Sequence, residues 1–267
     1  RVIDNGIEVG VVTNGSIMEH YIDTLSRCTW VCVSVDAGTS ETFNKLKNLS
    51  PKQDTFKKVL RNIETVADYA RRHKNKLGWT HPAYGVSYKY LLYKENIGEI
   101  YEAARLAKEI GCKNIHFRPA GTPWDQIAAG NEITFTKDEI GLFQEQIAKA
   151  MELDGPSFGV FGITHKFNDQ FARSNEFNAC YAIFMTAVFM PPKNISKTEH
   201  AFTMGLCCDR RGDSRLELLT DEDDVQLIGK EWGSKRHWEI HDAIDICNDC
   251  PRCTYQPHNQ IYEQVIL

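Results

Sequence analysis

The 267-residue chain has no apolar run approaching the roughly 18 to 20 residues that a membrane span requires. Its first residues also lack the basic-then-apolar pattern of a secretory leader. Positive charge is not in excess: 31 Lys and Arg against 36 Asp and Glu leave a formal net charge of −5. That balance argues against a general nucleic-acid or polybasic membrane binder. No internal repeat or low-complexity segment is seen, which removes collagen-like, coiled-coil and disordered classes. What is present is ordinary globular material, 42% apolar and 25% charged, enough for one large core or two smaller ones. The expectation is a cytoplasmic protein that engages neither nucleic acid nor membrane.

Cysteine is the informative residue. There are nine, an odd number that argues against a disulfide scaffold in a chain with this much apolar content. Six fall in the last third: Cys180, Cys207, Cys208, Cys247, Cys250 and Cys253. The last three are spaced Cys-x-x-Cys-x-x-Cys, and Pro251 sits inside that run. Thiolates bind soft or borderline metals, and cysteines on tight turns can send two or three sulfurs to one centre. Cys180 and the Cys207–Cys208 pair would complete the coordination once the chain folds back. Iron–sulfur and zinc both remain open on spacing alone, because His241 and His258 flank the cluster as further zinc ligands. Cys28 and Cys32 tempt one toward a radical-generating cluster, but the third cysteine it needs at position 35 is Val35. They read as core or helix-end thiols, and so does Cys112.

The first half alternates strand and helix. Residues 7–13, 30–36, 84–93 and 115–118 read as strands. A helical stretch carries Ile17, Tyr21, Ile22 and Leu25. Asp54 opens a helix whose Phe56, Val59, Leu60, Ile63, Val66, Ala67 and Ala70 recur at helical spacing. Asn96 with Glu99 resembles a capping box for the next helix. This is the grammar of a parallel α/β sheet or barrel, whose ligands bind at the carboxyl ends of the strands. The alternation stops near Gly121, and Thr136 with Glu139 then caps a helix bearing Ile140, Phe143, Ile147 and Met151. The expected division is a partial barrel over 1–122, a helical linker over 123–172 and a small cysteine-rich α+β domain over 173–267.

Ser34 and Asp36 alternate with valines, so they share a strand face and need a partner, which is either a polar ligand or each other. Ser87 and Lys89 carry the same ambiguity. Arg118 is placed to meet a carboxylate or phosphate or to make a structural salt bridge. Trp79 to Tyr93 and Gly121 to Asp125 are candidate pocket walls. Arg211-Gly212-Asp213 reads as a plain turn, and Asn194-Ile195-Ser196 as a sequon without a secretory context.

In order, Thr13-Asn14-Gly15, Val33-Ser34-Val35-Asp36, the run ending at Asn96, Ile115-His116-Phe117-Arg118 and the cysteines from Cys180 to Cys253 resemble a radical S-adenosylmethionine (SAM) enzyme. The C-terminal part resembles an auxiliary-cluster domain of the SPASM or twitch type. The resemblance implies a partial (β/α) barrel in which Thr13, Asn14 and Ser34, with Asp36, Ser87, Lys89 and Arg118, hold SAM. Phe117 and Arg118 would pack near the adenine. It implies one auxiliary 4Fe-4S cluster on Cys180, one of Cys207 or Cys208, Cys250 and Cys253, with Cys247 a further ligand candidate. It also implies a second 4Fe-4S cluster that passes an electron to SAM, giving a 5′-deoxyadenosyl radical that abstracts hydrogen from a small-molecule or peptide substrate. An electron donor such as flavodoxin or ferredoxin would serve it. The family's Cys-x-x-x-Cys-x-x-Cys motif and its Gly-Gly-Glu segment are absent from this chain. In relatives both lie upstream of the Thr13-Asn14-Gly15 position, so the expectation is a chain lacking its first two βα units and inactive as written. The alternatives are a zinc-stabilised binding module and an iron–sulfur electron carrier.

Overall fold

The computed structural model describes residues 1–78, 84–122, 126, 129–130, 133–162, 177–192, 202–250 and 253–266. Trp79, Asp125, Pro251 and the Asn194-Ile195-Ser196 stretch lie outside them. The chain divides into two compact units, Arg1–Asn168 and Asp169–Leu267.

The first unit is α/β. Its five strands, β1 (Gly10–Thr13), β2 (Trp30–Ser34), β3 (Gly85–Leu92), β4 (Asn114–Pro119) and β5 (Gly159–Gly162), form one parallel sheet in chain order. Parallel neighbours need crossovers. These are supplied by α1 (Ile22–Ser26), α2 (Ser40–Leu46) and α3 (Thr55–Arg72), then α4 (Ile100–Glu109) and α5 (Lys137–Met151). The apolar face of α3 is the one its spacing predicts, with Phe56, Val59, Ile63, Val66, Ala67 and Ala70 buried. Opposite it lie Val31, Val33, Val86, Tyr88, Tyr90, Ile115, Phe117 and Val160, which together with the helices make the core. Each such aliphatic or aromatic side chain contributes on the order of 1.5–3 kcal/mol by leaving water.

Two local expectations are revised. The stretch from Ile17 breaks into a 3₁₀ turn, Met18–His20, and the short α1, leaving Ile17 and Tyr21 exposed. Strand alternation also runs one unit beyond Gly121, because β5 pairs with β4 in parallel register.

Only one strand parity enters this core. Trp30 and Phe161 on the other parity are exposed, and Cys32, Ser34, Lys89, His116 and Arg118 are half-buried. A parallel sheet normally has both faces covered. Here the second face is largely polar.

The second unit has its own core of Phe177, Cys180, Ala182, Ile183, Met204, Leu206, Leu218, Leu219 and Ile246. Around it are the antiparallel strands β6 (Val188–Met190), β7 (Thr203–Gly205) and β8 (Glu217–Leu219), and helices α6 (Ile228–Glu231), α7 (Lys235–Asp242), α8 (Ile246–Asp249) and α9 (Gln256–Ile266).

Candidate functional site

In a parallel ladder, residues in register project to the same side at the same height. Register therefore builds the polar face row by row. Cys32, Ser87, Asn114 and Gly159 form one row, and Ser34, Lys89, His116 and Phe161 the next. Leu91 and Arg118 stand nearest the carboxyl ends. The Asn114 Oδ1 and Arg118 Nε atoms are buried without a hydrogen-bond partner. Neither Lys89 nor Arg118 makes a hydrogen bond or ion pair with any described residue, and the Ser34 hydroxyl is equally free. Buried polar atoms are nearly always satisfied in folded proteins. A face with these open donors and acceptors, and two cations that pair with no acid among the described residues, can bind a polar, anionic ligand.

Electrostatics on the face follow from burial and Lys89. Burial, with the Lys89 ammonium second, holds the His116 imidazole below its ordinary pKa. Burial pushes the Cys32 thiol up, opposed by a hydrogen bond with Ser87 and by Lys89.

Other expected site residues shape the turns. Thr13 is in register with Val33, on the helix-facing parity, and its Oγ1 accepts the Gly15 N–H at 3.1 Å. Asn14 Oδ1 accepts the Ser16 N–H at 3.0 Å. Gly15 has φ 79°, and a Cβ there would lie 2.8 Å from both Val33 and Val59. Asp36, expected beside Ser34, instead has φ 61° and is buried. Its carboxylate accepts from the Leu91 N–H at 2.8 Å and from the Lys47 ammonium. Phe117, expected near an adenine, faces the helices and packs on Tyr90 with ring centroids 5.1 Å apart. His116 and Phe161, which the sequence reading did not select, occupy the open face with stacked rings 4.8 Å apart. The alternation Ile115, His116, Phe117, Arg118 carried the signal for His116. Phe161 lies in a four-residue strand bounded by glycines and carried none.

In the second unit, Cys180, Cys250 and Cys253 belong to one apolar cluster. Burial pushes the Cys180 thiol up, and the backbone N–H groups of Ile183 and Ala182 pull it back. The Cys207 thiol is likewise raised by burial and drawn down by the N–H groups of Arg210 and Asp209. Cys253 is pushed up to about 12 by burial, countered by the Tyr255 N–H, which lies 3.3 Å from Sγ. Cys250 reaches about 11, through burial first and Cys180 second. Such N–H groups aimed at sulfur from two or three residues on favour thiolate over thiol. Cys208 instead meets the Tyr255 hydroxyl, and Cys247 is exposed on α8.

Polar ties bring the segments together. Asp209 accepts from the Thr254 N–H and hydroxyl, both at 2.8 Å. Arg210 and Arg215 reach Asp249 at 3.4 and 3.0 Å. His241 packs against Tyr181, Phe184 and Trp238, and His258 against Tyr255. Among the described residues, no three His, Cys, Asp or Glu side chains are grouped so as to hold a metal ion. A single zinc at Zn–S of about 2.3 Å needs sulfurs about 4 Å apart. Comparison of the chain with family models and with curated proteins returns no match.

Proposed function

We propose that this chain is the SAM-holding and auxiliary-cluster portion of a radical SAM enzyme acting on a small molecule or peptide. The carrying observation is the polar face of the parallel sheet, where Ser34 and Lys89 lie in register and make no hydrogen bond or ion pair with a described residue. Those residues fit a ligand with hydroxyl, amino and carboxylate groups. Ser34, Ser87 and Lys89 supply its polar contacts, with Asn14 at the neighbouring strand end. Thr13, Gly15 and Asp36 fix the turns that carry them. When bound and reduced by one electron from a four-iron cluster, SAM supplies hydrogen-abstracting radical chemistry.

The second unit is proposed to hold an auxiliary 4Fe-4S cluster on Cys180, Cys207, Cys250 and Cys253. The N–H groups directed at Cys207 support it over Cys208 as the fourth ligand.

Anaerobic reconstitution of the full chain with iron and sulfide, followed by metal analysis and equilibrium dialysis with SAM, tests both parts. The expected result is about four irons and four sulfides per chain, retained in Cys208→Ser and lost in Cys207→Ser and Cys253→Ser. SAM binding should weaken in Ser34→Ala and Lys89→Gln. Stoichiometric zinc without iron, or SAM binding indifferent to both substitutions, would overturn the reading.

A further inference from the structure

We propose that the β4–β5 half of the open sheet face is a second ligand seat, and that it takes a carboxylate joined by a short spacer to a planar ring. It rests on the reading above in calling this occupant the substrate and in assigning Lys89 to SAM. The ring part follows from His116 and Phe161. Their rings stack at 4.8 Å with an interplanar angle of 26°, and Phe161 remains 51% exposed. An exposed phenyl group beside His116 and Arg118 offers a flat apolar surface on which a second ring can stack. With His116 held toward its neutral form by burial and Lys89, the pair presents an uncharged platform.

The anion part follows from Arg118. It stands two residues beyond His116 on the same strand and the same side, with its Nε buried and unpartnered. A guanidinium cannot shed its charge, and its fork matches a carboxylate through two parallel hydrogen bonds. Lys89 is in register with Ser34 on β2 and with His116 on β4, and the reading above assigns it to the SAM half of the face. With Lys89 so assigned, Arg118 is the cation of this seat among the described residues, and the ligand is a monoanion. At about 3.3 Å per strand residue, the Arg118 backbone sits roughly 7 Å past that of His116. A carboxylate fused directly to the ring would not span both contacts.

The probe is 3-phenylpropionate, titrated against the full chain by ligand-observed saturation-transfer NMR. Circular dichroism serves as the folding check on each variant. Binding is expected to weaken about tenfold, or 1.4 kcal/mol, in Arg118→Gln. Arg118→Lys, which keeps the charge but not the fork, should fall between it and the parent protein. Phe161→Ala, at an exposed edge position, should also weaken binding. The neutral 3-phenylpropan-1-ol and the ringless butyrate should each bind about tenfold more weakly than the probe. Equal binding of the alcohol, or a probe indifferent to Arg118→Gln and Phe161→Ala, would overturn the proposal. So would mutual exclusion of the probe and SAM, which would make the two seats one. If the probe behaves as expected while SAM fails to bind, the cofactor reading falls and this seat stands.

Discussion

At Asp36 the backbone adopts φ 61°, a region that Asp and Asn tolerate better than other side chains. Its buried carboxylate then holds the Lys47 ammonium and the Leu91 N–H. Asp36→Ala removes the acceptor and strands Lys47, and should cost on the order of 3–5 kcal/mol in urea unfolding. Asp36→Asn keeps both an acceptor and the backbone tolerance, so it should cost clearly less. Equal losses would mean that the buried pair, not the turn, dominates. Glu19 allows a pH test. The Lys58 ammonium, bonded to it at 2.6 Å, heads the causes that lower its carboxyl from 4.5 to about 2. A depressed carboxylate stabilises above its unfolded pKa and loses that contribution as pH falls through the folded one. The stability gap between the parent protein and Glu19→Gln should therefore be full above about pH 4.5 and close toward pH 2. A gap unchanged over that window would show that the ion pair is not its source. The polarity of Ser34 and Asp36 was legible in the sequence, but the shared face expected of them does not form. Strand alternation holds only while φ stays negative, and the contact that turns Asp36 inward comes from Leu91, far along the chain.

Among helices and strands, periodicity proved more legible than capping. The buried stripe of α3 is the spacing of its own residues, and Thr136 with Glu139 forms a true capping box on α5. Asn96 and Glu99 share that pattern but do different work. The Asn96 amide donates to the Asp36 and Leu91 carbonyls, each at 2.8 Å, and its oxygen accepts the Tyr93 N–H. The Glu99 carboxylate accepts the Gly38 and Thr39 N–H groups and the Thr39 and Thr42 hydroxyls, tying α4 to the start of α2. A local motif cannot reveal donors from about sixty residues away. Thr136→Ala, a cap loss at an exposed helix end, should cost about 1 kcal/mol. Glu99→Ala leaves several donors stranded and should cost about 3 kcal/mol, read as shifts in the denaturant midpoint at constant slope. If Thr136→Ala proves the more costly, Glu99 is not the clamp described.

At the scale of the whole molecule, the two units hold themselves together by different means. Among the described residues, the first packs an extensive apolar core behind strands of up to eight residues. The second has a much smaller cluster, which includes Cys180 itself, and three strands of three residues each. Strands that short supply little independent stability. Cys250 and Cys253, half-buried against this small cluster, have their thiols pushed up by burial, so an unligated sulfur there adds little to the packing. If a cluster ligates Cys180, Cys207, Cys250 and Cys253, its binding energy becomes folding energy for this unit. Stripping metal from the reconstituted chain should therefore collapse hydrogen-exchange protection in β6, β7, β8 and α9, while β2, β3 and β4 keep theirs. The same asymmetry should appear for Cys253→Ser without any chelator. Protection lost equally in both units, or unchanged in the second, would show that its fold does not depend on the centre.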